Sequence, residues 1–200
     1  KGLKIQHLRV KIGATNGATS NTLGKICGMV SKIEVVDGSD LLHSLSMRQE
    51  QALNCFQNSS FPRKELSAGA GIVIFEEGLV LFGRTYKDPK FYLDTSQFSN
   101  PQLKITYALT ISATAGFATG TGTLSVIARV IEDQAPPYVG FVTAKELKSW
   151  TTATSGDEST ILPLDLPYLA LVVAALKTTV DPTTLITNFK LQRDAGRFID

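Results

Sequence analysis

Between Leu103 and Ala113 the odd positions read Leu, Ile, Tyr, Leu, Ile, Ala, and the even ones Lys104, Thr106, Ala108, Thr110 and Ser112. Successive strand side chains point to opposite faces, so this alternation requires a β-strand with one buried and one solvated face. A helix would scatter the same residues around its axis. The next apolar run, Leu124 to Glu132, is rich in Val and Ile, and the joining segment "TAGFATGTG" holds three glycines. An antiparallel hairpin with a long loop is the simplest product of that order.

Similar runs recur along the chain. Leu8, Val10 and Ile12 alternate before the polar stretch "GATNGATSN", and "KICGMVSKIEVV" (25–36) reads as a strand closed by the turn signal "DGSD". "GIVIFEEGLVLFGR" (71–84) is two apolar runs split by Glu76, Glu77 and Gly78, which suggests a second hairpin with the two carboxylates at its solvated tip. Further strands are expected at Phe91–Leu93, Tyr138–Val142, Leu169–Leu176 and Leu185–Gln192. Roughly nine or ten strands in one chain is the density of a sandwich or barrel. Loops are expected at 13–24, 57–70 and 151–160, and no linker marks a domain boundary, so residues 1–200 read as one domain.

Two segments depart from the strand pattern. After Ser39 as N-cap, "DLLHSLSMRQEQALNCF" sets Leu42, Leu45, Ala52, Leu53 and Phe56 at helical spacing, which predicts an amphipathic helix laid over the sheet. In "TAKELKSW", Thr143 stands three residues before Glu146, a capping-box spacing, and Trp150 falls on the apolar side of the short helix expected there. The fold class expected is therefore all-β, a jelly-roll-type sandwich of two antiparallel sheets with one or two short helices.

Chemistry is sparse in this sequence. Lys and Arg total 20 against 18 Asp and Glu, a formal net charge of +2, which leaves no electrostatic footprint for nucleic acid. The longest apolar run, Tyr168 to Leu176, is too short for a membrane-spanning helix. Neither histidine, His7 or His43, has a His, Cys or carboxylate at ligand spacing, and no nucleophile elbow is present. "TSGDES" (154–159) reads as a polar turn and "GTGT" (120–123) as a hairpin loop, because a phosphate loop needs a helix after it. Calcium has only "DGSD" and "SGDE" to draw on. Cys27 and Cys55 are expected as buried or half-buried thiols of a protein made in a reducing cytoplasm. Phe, at 10 residues, outnumbers Tyr at 5 and Trp at 1, which favours core filling over stacking on sugars. No catalytic, cofactor-binding or metal-ligating residue is assigned, and the chain is not expected to be an enzyme.

The phrases "LVLFGRTYKDPKFYLDTSQFSNPQLKITYALTI", "GTLSVIARVIED" and "LPLDLPYLALVVAAL" resemble the strand-and-loop grammar of major capsid proteins from tailless icosahedral phages, the double jelly-roll lineage. The likeness covers about residues 70 to 200 and rests on no invariant motif. It implies a virion subunit, assembled in the host cytoplasm into trimers or a larger shell. Its partners would be other virion proteins and an internal membrane, without sequence-specific binding of nucleic acid. The family pairs two jelly rolls in tandem, whereas this chain has length for one. That departure implies a fragment of a longer coat protein, a single-roll relative, or a wrong assignment. The strand-like end "NFKLQRDAGRFID" is expected to continue into missing chain, and Lys1 to follow processing or truncation. The alternative is a carbohydrate-binding or adhesin-type β-sandwich module.

Overall fold

The first strand, β1 (Lys4–Thr15), is the spine of the fold. The computed structural model describes residues 2–17, 26–60, 62, 69–108, 122–132, 136–151, 156–175, 185–186, 188–193 and 197–199. After β1 come a 3₁₀ turn (Ile26–Met29), β2 (Val30–Asp37), β3 (Asp40–Leu45), α1 (Met47–Asn58), β4 (Val73–Leu81) and β5 (Leu93–Asp94). A second 3₁₀ turn (Thr95–Gln97), β6 (Pro101–Tyr107), β7 (Thr123–Val130), β8 (Leu191–Arg193) and β9 (Arg197–Ile199) follow. The chain divides into two compact units, Lys1–Glu158 and Ser159–Asp200.

In the first unit β1 pairs antiparallel with β4, β5 and β7, and a second antiparallel sheet has the order β3-β2-β6. Both β4 and β7 pair with His7 to Gly13, so they flank β1 on opposite edges. Even-numbered residues of β1 (Leu8, Val10, Ile12, Ala14) turn inward, as do Ile74 and Val80 of β4. They meet Val30, Ile33 and Val35 of β2, with Ile26, Cys27 and Met47 closing the core. A register shift between Val30 and Lys32 lets Val30 and Ile33 face the same interior despite their odd spacing. The expected all-β sandwich of two antiparallel sheets is the architecture found. In the second unit β8 and β9 form a two-stranded ladder from Leu191↔Ile199 to Arg193↔Arg197.

Several local expectations are overturned. Residues 40–45 form β3, not the start of a helix: Gly38 takes φ 60° in a two-residue turn, and the chain folds straight back from Asp37↔Asp40 to Ile33↔Leu45. The helix starts only at Ser46, whose hydroxyl accepts from Gln49 N–H while the Gln49 side chain accepts from Ser46 N–H. Its buried side is Met47, Glu50, Gln51 and Asn54, whereas Ala52 and Phe56 face outward.

Glu76, Glu77 and Gly78 lie in the middle of one continuous strand rather than at a hairpin tip. Ladder bonds to β1 from Thr15↔Val73 to His7↔Leu81 hold that strand straight, and Gly78 gives Met47 room, since a Cβ there would come 2.6 Å from its sulfur. The expected pairing of β6 with β7 is also replaced, because β6 joins β2 and β7 joins β1, in different sheets. Each finds a longer register there than a hairpin would offer.

Residues 143–150 are extended instead of helical. Ser44 N–H donates to Ala144 C=O and Glu146 N–H to Ser44 C=O, so β3 captures this segment at its outer edge. Tyr138–Val142 makes single bonds, Tyr92 N–H to Gly140 C=O and Val142 N–H to Phe82 C=O, and no ladder. Residues 169–175 carry no strand, and of 185–192 only the last two belong to β8. Residues 18–25, 63–68, 109–121, 152–155 and 176–184 lie outside the description, and with them most of the expected loops, the second half of the 103–113 strand and the end of the 169–176 strand.

Candidate functional site

Two features stand out: a polar cluster sealed beneath α1, and a run of apolar surface that nothing covers among the described residues. The cluster is built by the inverted helix face. Met47, Glu50, Gln51 and Asn54 follow at spacings of three and four, which places all of them over β4. Glu50 reaches His43 Nε2 on β3, and both side chains are essentially inaccessible. Gln51 Nε2 donates to Glu76 Oε2 at 3.0 Å and to Glu77 C=O at 3.1 Å. Asn54 donates to Leu79 C=O and accepts from Leu79 N–H, each at 2.7 Å, as a neighbouring strand would.

Sequence spacing hid this constellation because His43 and Glu50 come from different elements, joined only once β3 and α1 pack. One signal was present: "SMRQ" is a capping-box pattern at Ser46–Gln49, and it starts the helix in the phase that turns Glu50 and Gln51 inward. With 0% exposure at Glu50 and Glu76, these carboxylates touch protein and not solvent. Their role in this arrangement is to lock α1 onto both sheets.

The opposite face of the four-stranded sheet is basic and aromatic. His7 stacks on Tyr86 with ring centroids 4.7 Å apart, Arg129 lies 5.8 Å over the same ring, and Lys11 sits 4.2 Å over Phe75. Arg9 bonds the Tyr86 hydroxyl and approaches Glu77 at 3.9 Å. Burial of His7, with Arg129 and Arg9 nearby, pushes its pKa down to about 4. The unfolded chain, at the ordinary value of 6.5, therefore binds a proton between pH 6.5 and 4 that the folded chain refuses. This contribution to stability is complete above pH 6.5 and lost as pH falls toward 4, with a slope of at most about 1.4 kcal/mol per pH unit. Urea unfolding at pH 7 and pH 5 is expected to show it, and H7F to remove that share of the slope; an unchanged slope would refute it.

The other expected sites fall as follows. Asp37 of "DGSD" accepts from the N–H groups of Ser99 and Asn100, and Glu158 of "SGDE" pairs with Lys148 at 3.3 Å. A strand does follow "GTGT", opening at Thr123. Cys27 is buried and Cys55 half-buried, and both are free thiols. Trp150 is not buried but 47% exposed, with Lys148 Nζ 5.3 Å from its ring.

Exposed apolar surface is concentrated in two places. All of β7 except Val130 is exposed, including Leu124 and Val126 on the core side and Ile127 (57%) on the other. In the second unit Ile161 and Leu164 are 96% and 95% exposed, and Leu166, Leu169, Val172 and Val173 are exposed as well. Among the described residues no helix is long and apolar enough to cross a membrane. Such a protein is an all-β sandwich whose polar groups are turned inward and whose apolar groups are partly turned out. No family profile, curated protein or solved structure matches the chain.

Proposed function

We propose that this chain is a structural virion protein, a subunit of an icosahedral capsid shell that assembles through loop and edge-strand contacts. The observation that carries the reading is the apolar exposure at β7 and at residues 161–173. Soluble monomers rarely leave contiguous apolar patches larger than a few hundred Å² in water. Subunits of a shell cover such surface with neighbouring copies, and many moderate interfaces then sum to a stable particle. A jelly-roll sandwich and the phrasing likeness to tailless-phage coat proteins agree with that role. The partners proposed are further copies of the chain in trimers or larger assemblies, other virion proteins and an internal membrane. No enzymatic activity and no sequence-specific nucleic-acid binding form part of the proposal, and its place is the virion, assembled in the host cytoplasm.

A second reading, a carbohydrate-binding or adhesin-type module, draws on Trp150 being half-exposed beside Lys148. Native mass by light scattering, followed by negative-stain imaging without added ligand, separates the two. Trimers or closed shells of uniform size are expected. A monodisperse monomer over a wide concentration range would overturn the capsid reading and make glycan screening the next step.

A further inference from the structure

We infer that the outer edge of β7 is a self-complementary interface, pairing antiparallel with β7 of a second copy to continue the four-stranded sheet across the contact. This deepens the assembly proposal and rests on it. An open strand edge is a template for further pairing, so folded proteins block the edges they do not use.

Three of the edges here are blocked. On β4 the Asn54 amide takes both backbone groups of Leu79, and Gln51 takes Glu77 C=O. On β3 the segment Ala144–Glu146 brackets Ser44. On β6 the strand begins with Pro101 and carries Lys104 at its centre, both devices that discourage pairing.

The edge of β7 has no such protection. Its sequence, TLSVIARV, contains no Pro and no Lys, and among the described residues it pairs only with β1. Ile131 N–H donates to Lys4 C=O, so counting back along the strand the odd residues bond β1, while Leu124, Val126 and Ala128 turn N–H and C=O away from it. Those three residues are exposed.

A second copy fits this edge better than an unrelated strand because the run opposes itself without conflict. In a two-fold pairing centred on Val126, Val126 meets its own counterpart, Leu124 meets Ala128, and Ser125 meets Ile127. The single charge, Arg129, then stands opposite Thr123, and the Tyr86 ring of its own subunit already engages its guanidinium. No like charges are brought together.

The test uses the full chain and two variants, A128P, which removes an outward N–H while leaving the ladder to β1 intact, and I127K, which adds charge at an exposed site. Sedimentation gives the association constant, and hydrogen exchange reads the amides of Leu124, Val126 and Ala128. Expected are multimers whose three amides are protected and lose protection on dilution, with association weakened about tenfold or more in both variants at unchanged circular dichroism. Multimers that persist unchanged in both variants would overturn the β7 interface and leave the assembly proposal standing. A monomer whose three amides are protected would overturn the interface by showing that the chain covers its own edge. A monomer with freely exchanging amides would overturn both.

Discussion

Replacing Glu50 by Ala is expected to destabilise the fold by about 3–5 kcal/mol, because it leaves His43 buried without its partner. H43A is expected to cost a similar amount for the reciprocal reason. The informative variant is the double one, H43L/E50L. Apolar groups of similar volume have no desolvation penalty to recover, and replacing a buried pair in this way is commonly neutral or stabilising by about 1–4 kcal/mol. His43 Nδ1 and Glu50 Oε2 have no hydrogen-bond partner among the described residues, which adds to the cost of the native arrangement. Urea unfolding of the two single variants and the double one closes the cycle. A double variant as unstable as E50A would show that the polar pair itself, and not merely its completeness, holds α1 in place.

The second large effect is expected at Asn54. N54A strips both partners from Leu79, whose N–H and C=O lie under the helix, at about 1–3 kcal/mol for each group left unpaired. N54D keeps an acceptor for Leu79 N–H but no donor for its C=O, so its loss is expected to fall between wild type and N54A. A further consequence concerns solubility: without Asn54 the outer edge of β4 is unblocked, and light scattering during storage is expected to rise for N54A. Equal stability of N54A and wild type would mean that the helix closes over Leu79 without the amide.

These two sites show where sequence reasoning stopped. Period-two alternation over 103–107 and in the first strand marked β6 and β1, and the vocabulary of Val, Ile and Thr between turn signals marked the class of fold. "DGSD" was legible as a turn, but the same residues left open what the chain did next. The apolar residues Leu42 and Leu45 fit a helix and a strand alike over so short a run, and the pairing with β2 decided for the strand. Glu76 and Glu77 looked like a solvated tip because carboxylates rarely enter a core. A buried Glu76 is tolerable only when Gln51 reaches it from another element, which spacing along the chain cannot display.

What the sequence by itself determined is local: which residues prefer extended backbone, where glycine permits a turn, and that apolar residues enough for a sandwich core are present. Tertiary structure decided everything that depends on partners. It sent β6 and β7 to different sheets, drew 144–146 onto β3 instead of into a helix, and turned the polar face of α1 inward. The physical reason is common to all three. Backbone hydrogen bonds and buried polar groups must be satisfied by whichever neighbour reaches them, and the neighbour is chosen by packing, over distances a sequence window does not span.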